Sequence, residues 1–262
     1  MALAAIAPVI IDELPTTRLL STKDLMASLR DGWHDFTENR GELVFVGLFY
    51  PVVILLVATV AIRGDLFQVL FPLVAGMSLL GPAIATGFYE MAKRRESGDE
   101  PGWGHFFDIV HLPTRSSIAT LTMMLACLFL AWLGAAAALY TNTMGYALPD
   151  TFGAFLTSIV TTPEGWTLIV LGNFLGFCFA GIVLSISVIS FPMLVDRDVS
   201  ATTALRTSLK VVRANPRTIA IWGGIVACLL AVGALTFFVG LAVVLPVLGY
   251  STWHLYRRAV GD

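Results

Sequence analysis

The run Trp166–Asp198 reads WTLIVLGNFLGFCFAGIVLSISVISFPMLVDRD, and its reading decides the fold. From Trp166 to Val195 it holds no charged side chain, and it then breaks into Asp196-Arg197-Asp198. An apolar run of that length exceeds what a buried helix of a soluble domain needs. It matches a helix crossing ~30 Å of hydrocarbon and ending abruptly in water. Composition agrees. Of 262 residues 57% are hydrophobic and 13% charged, against about 25% charged in soluble domains, and the mean hydropathy is +0.82. A net charge of -2 gives no basic field for nucleic acid. Cys127, Cys178 and Cys228 each lie in an apolar run without metal-ligand or disulfide spacing, so they read as small hydrophobes.

Five further apolar stretches flank this one. The sequence predicts spans over about 43–62, 66–89, 118–140, 166–195, 219–237 and 240–254. Pro51 and Pro72 sit inside the first two and predict kinks. The uncharged run Ile219–Thr252 is too long for one span of ~20 residues, and it divides near Phe238-Val239-Gly240. The stretch 141–165, with Pro149, Asp150, Pro163 and Glu164, reads as a loop.

Three amphipathic leaders precede pairs of spans. In the first, Thr22 is the expected N-cap; Leu25, Leu29, Trp33 and Phe36 form an apolar stripe, with Lys23, Arg30, Asp31 and Asp35 opposite. Such a helix suits the membrane surface. Trp103, Phe106, Phe107 and Val110 mark the second. Ser200 caps the third, with Ala201, Leu205, Leu209 and Val212 on one side and Arg206, Lys210 and Arg213 elsewhere. Gly81-Pro82 through Arg94 echoes Leu245-Pro246 through Arg258 in its proline, small residues, aromatics and basic pair. Either three copies of one unit, a surface helix and a membrane hairpin, or convergence on interfacial aromatics and basic caps produces this likeness. The expected fold is therefore all-α: a polytopic bundle of six transmembrane helices as three hairpins with short cytoplasmic amphipathic helices, residues 22–262 as one domain after a tail, 1–21.

Orientation follows from charge. With the N-terminus inside, fifteen of the sixteen Lys and Arg fall on that side, all but Arg63. The positive-inside rule then places both termini in the cytoplasm. Met1–Pro8 has no basic residue ahead of its apolar stretch, and reads as a cytoplasmic tail.

Chemistry is sought in the spans. A charge at mid-bilayer costs ~2.5–3.5 kcal/mol or more and marks an ion path where it persists. Glu42, Glu90, Asp196 and Arg197 all fall at span ends, which argues against a proton pump, an acid-coupled carrier or a voltage sensor. Asn173, in Gly172-Asn173-Phe174-Leu175-Gly176, is the strongest polar group at depth. It reads as a packing contact that the two glycines admit, or as a ligand contact. Asp196-Arg197-Asp198 reads as a stop-transfer and capping signal, or as one half of an ion-pair cluster with Lys93, Arg94 or Arg257. His34, His105, His111 and His254 offer no facing pair at depth for haem. No nucleophile elbow, phosphate loop, zinc motif or cysteine pair is present. No catalytic residue, metal or cofactor is expected.

Phe191-Pro192 through Val199, Ala204 to Ser208, Arg213-Ala214-Asn215-Pro216, Thr161 to Gly165, Leu245 to Arg258, Phe71-Pro72-Leu73 and Gly81 to Glu90 together resemble a bacterial integral membrane family of unknown function. The resemblance runs from about Thr22 onward. Members are often labelled cytochrome c oxidase subunit-like. The catalytic oxidase subunit needs several intramembrane histidines, so the resemblance implies at most a cofactor-free accessory subunit. The expected role is non-enzymatic: accessory, assembly or scaffolding, in a membrane-protein complex or homo-oligomer within the lipid bilayer. The other reading is a transport or lipid-handling protein with a neutral cavity near Asn173.

Overall fold

The computed structural model describes residues 14–38, 67–99, 102–145, 151–236 and 238–261, with Val52 and Thr59. The expected span 43–62 and most of the tail lie outside the described residues. Helix α1 is Thr22–Glu38. A broken helix follows as α2 (Phe67–Met77), a 3-10 turn Ser78–Leu80, α3 (Gly81–Ile84) and α4 (Thr86–Glu96). After the 3-10 helix Trp103–His111 come α5 (Arg115–Met144), α6 (Phe152–Thr161), α7 (Pro163–Ser187), α8 (Ser190–Asp196), α9 (Ala201–Ala214), α10 (Pro216–Leu235) and α11 (Leu241–Ala259).

Four stretches are long and apolar enough to cross a membrane: Phe71–Glu96, Arg115–Met144, Pro163–Asp196 and Pro216–Leu235. Helix α11 is not among them; its apolar start runs on into Trp253, His254, Arg257 and Arg258. Helix α5 packs along α7 and α10 along α11, while the six-span arrangement as a whole extends beyond the described residues.

Several boundaries differ from expectation. Ser21, not Thr22, caps α1: its hydroxyl donates to Asp24 Oδ2 at 2.7 Å and its backbone N–H to the same oxygen at 2.8 Å. Its smaller acceptor role toward Asp24 N–H, at 3.4 Å, completes a reciprocal cap. The stretch expected as one span over 166–195 is one crossing stretch, Pro163–Asp196, with a turn at Val188-Ile189 between α7 and α8. The expected loop after α5 contains a ten-residue apolar helix, α6, capped by Thr151. The second leader is a 3-10 helix, not α. The stripe on α1 is also rotated. Its buried residues are Leu25, Ser28, Gly32, Asp35 and Phe36, while Trp33 is 52% exposed.

The core lies at one end. Phe191, Met193 and Leu194 of α8, Tyr250, Trp253, Leu255 and Tyr256 of α11, and Met91 of α4 are almost fully buried. Away from that end, Leu130, Phe177 and Leu235 stay 64%, 76% and 82% exposed. In water such faces would be driven together; in hydrocarbon there is no such drive, and small residues favour contact by admitting close approach. At Gly76 a Cβ would fall 2.6 Å from Trp132 and Phe129 atoms, and Trp132 Nε1 donates to the Pro72 carbonyl at 2.7 Å.

Candidate functional site

The buried end is also the charged end. Helix α1 docks along α11 through a crossing at Gly32, where a Cβ would stand 2.2 Å from Ser251 Oγ and 2.5 Å from Ser251 N. Acids on α1 then meet bases on α11 one turn apart in both helices. Asp31 pairs with Arg258 at 2.5 Å, and Asp35 with His254 Nε2 at 2.7 Å. Asp35 also takes Arg95 of α4 at 3.2 Å, and Arg95 reaches Glu38 as well. With its side chain 11% exposed, Asp35 ties three helices. This corrects the expected placement of Asp31 and Asp35 on a solvent face. A carboxylate can turn inward when one oxygen meets a guanidinium and the other a ring nitrogen. His254 is held by that acid.

A second knot joins α4, α8 and α11. Asp196 accepts from Tyr256 Oη at 2.6 Å and pairs with Arg257 at 3.3 Å. Arg257 also faces Glu96 at 3.4 Å, and Lys93 Nζ donates to the Val195 carbonyl at 2.7 Å, covering an open C-terminal carbonyl of α8. Burial, and then the Asp196 carboxylate, hold the Tyr256 phenol above the usual tyrosine range. Arg197 donates to the Gly261 carbonyl at 2.8 Å, and Asp198 is exposed beyond α8. The expected partners of Asp196 thus include Arg257 and, through the backbone carbonyls, Lys93; Arg94 goes elsewhere.

Arg94 joins the buried Glu90 and Asp108, each at 2.8 Å. Only Glu90 Oε1 is engaged; Oε2 is buried with no hydrogen-bond partner among the described residues. Phe88 meets Phe106 edge-on at 5.1 Å, which seats the 3-10 helix against α4. The chain ends close the arrangement: Arg18 N–H donates to the Ala259 carbonyl at 2.9 Å and Gly261 N–H to Thr16 at 3.0 Å. Asn215 fastens this segment, its Oδ1 accepting Leu20 N–H at 2.6 Å.

Asn173 lies apart from all of this. It is exposed, and its amide donates to the Ile169 carbonyl of its own helix at 2.8 Å. A Cβ at Gly176 would stand 3.4 Å from Trp132 and one at Gly172 3.7 Å from Leu139, ordinary contact distances. Asp31, Asp35, Arg95, Glu96, His254, Tyr256 and Arg258 were not brought together from the sequence as an ion-pair cluster. A signal existed: acids four apart on α1 match His254 and Arg258, also four apart on α11. Among the described residues no cluster of three or more His, Cys, Asp or Glu is arranged to hold a metal.

Apolar helices that leave their greasy sides exposed, knotted at one end by ion pairs, define an all-helical integral membrane protein. Residues 70–196 match the model of the family described as predicted integral membrane protein (DUF2189), a family of unknown function. That match covers α4 and α8, hence Glu90, Lys93, Arg94, Arg95, Glu96 and Asp196; α1 and α11 lie outside it. No curated protein and no solved structure matches the chain.

Proposed function

We propose that the protein is a non-catalytic accessory or scaffolding protein of the bacterial inner membrane, with both termini cytoplasmic, acting through contacts with other membrane proteins. One observation supports this above the rest: the charged groups described at the basic end are committed largely to holding helices together. Asp35 faces Arg95 and His254, and Asp196 faces Tyr256. Outside that end, broad apolar faces such as those around Phe177 and Leu235 are free for partners. The carrier reading gains nothing from Asn173, which bonds within its own helix.

Purification from native membranes in mild detergent tests the role. A reproducibly co-migrating membrane protein, a respiratory complex among the candidates, supports it. A solitary monomer that exchanges a solute in liposomes rejects it. Orientation is tested separately. With the three exposed native thiols replaced, a cysteine at Asp150 should label from outside whole cells and one at Gly98 should not. The reverse pattern overturns the assignment.

A further inference from the structure

A groove of about 380 Å³ runs beside the first turns of α5, within the size range of small-molecule sites. It is lined by Ile109 and Val110 of the 3-10 helix and by Ile118, Ala119, Met123 and Ala126 of α5, with Arg115 at one end. Val110 and Met123 are 56% and 66% exposed, so the groove is open to its surroundings among the described residues. From Arg115 to Ala126 an α-helix rises about 16 Å, close to half of a ~30 Å hydrocarbon layer. The groove therefore has the length of one leaflet and carries its single charge at headgroup depth.

Arg115 differs from its neighbours. Arg94, Arg95, Arg257 and Arg258 all face acids. Arg115 is exposed and pairs with no acid among the described residues. Asp108, one residue before the groove wall, is taken by Arg94. At the same end, Thr114 gives its hydroxyl to the Leu194 carbonyl at 2.5 Å and does not cap α5. The positive end of that helix dipole adds to the guanidinium.

We propose that this groove seats one acyl chain of an anionic phospholipid of the surrounding bilayer, with its phosphate on Arg115. An apolar slot one leaflet long suits a fatty chain, and an unpaired cation at its mouth selects a negative headgroup. The inference is independent of the scaffolding role.

Native mass spectrometry of the detergent-solubilised protein, titrated with phosphatidylglycerol or phosphatidylcholine of identical chains, tests it. The wild type should bind phosphatidylglycerol about fivefold more tightly, the ratio that ~1 kcal/mol for one basic side chain near an anionic surface implies. Arg115→Gln should abolish the preference and leave phosphatidylcholine binding unchanged, while Arg115→Lys retains it. Ala119→Trp, at an exposed site, should weaken both lipids by filling the groove. Arg206→Gln, on the exposed side of α9, should change neither. Inorganic phosphate at millimolar concentration should not displace phosphatidylglycerol. A preference surviving Arg115→Gln, undiminished binding in Ala119→Trp, or displacement by phosphate alone overturns the proposal, as does a co-purifying peptide occupying the groove.

Discussion

Gly32→Ala offers a test in which two effects of opposite sign compete. In an ordinary helix interior, alanine is favoured over glycine by about 0.8–1.0 kcal/mol. At Gly32 the added Cβ would meet Ser251 Oγ at 2.2 Å, Ser251 N at 2.5 Å and Ser251 Cα at 2.8 Å. Two of those atoms are backbone within α11, so a rotamer change cannot relieve the clash. Overpacking of this kind costs about 1–3 kcal/mol, and separating the helices also loosens Asp31–Arg258 and Asp35–His254. The expected net result is a loss of about 1–2 kcal/mol. The control is Gly134→Ala in α5, where a Cβ meets nothing within 4 Å; it should be neutral or stabilising. Unfolding of the detergent-solubilised protein, followed by circular dichroism, reads the stability. Tryptic cleavage after Arg30 reads the docking of α1, and should accelerate only in Gly32→Ala. If Gly32→Ala matches Gly134→Ala in both assays, α1 does not cross α11 at this register.

Asp35→Asn leaves Arg95 and His254 facing a neutral amide. The expected loss is about 2 kcal/mol, between exposed and fully buried pairs, and an unchanged melting transition would contradict it. Tyr256→Phe removes the 2.6 Å hydrogen bond to Asp196, expected to cost about 1.5–3 kcal/mol because the acceptor is charged. The Tyr256 phenol is held above its usual range by burial and by Asp196. Its contribution is therefore complete below about pH 10, the unfolded value, and is lost as pH rises through the folded value. Stability of the phenylalanine variant should lack that alkaline decline. Asp24 is the opposite case: its hydrogen bond from Ser21 holds its carboxyl below the usual range. That support is present above about pH 3.9 and is lost as pH falls through the folded value. Ser21→Ala should cost about 1 kcal/mol at neutral pH, with a smaller acid-dependent loss in helix content than the wild type shows.

Much of this architecture is written locally. Lipid offers no hydrogen bonds, so each crossing segment must satisfy its own backbone as a helix, and uncharged length alone reveals it. Trp166–Val195, Ile118–Tyr140 and the division of Ile219–Thr252 near Phe238 are legible for that reason; Phe238 indeed sits at a positive φ of 64° in the turn. The tertiary structure alone decided which charges meet. Asp35 and His254 stand 219 positions apart, and periodicity assigned Asp35 to a solvent face because a lone carboxylate belongs there. Its burial depends on Arg95 and His254 arriving together from two other helices. The rotation of α1 has the same origin: Gly32, unremarkable in a hydropathy pattern, is the residue whose missing side chain lets the helices touch.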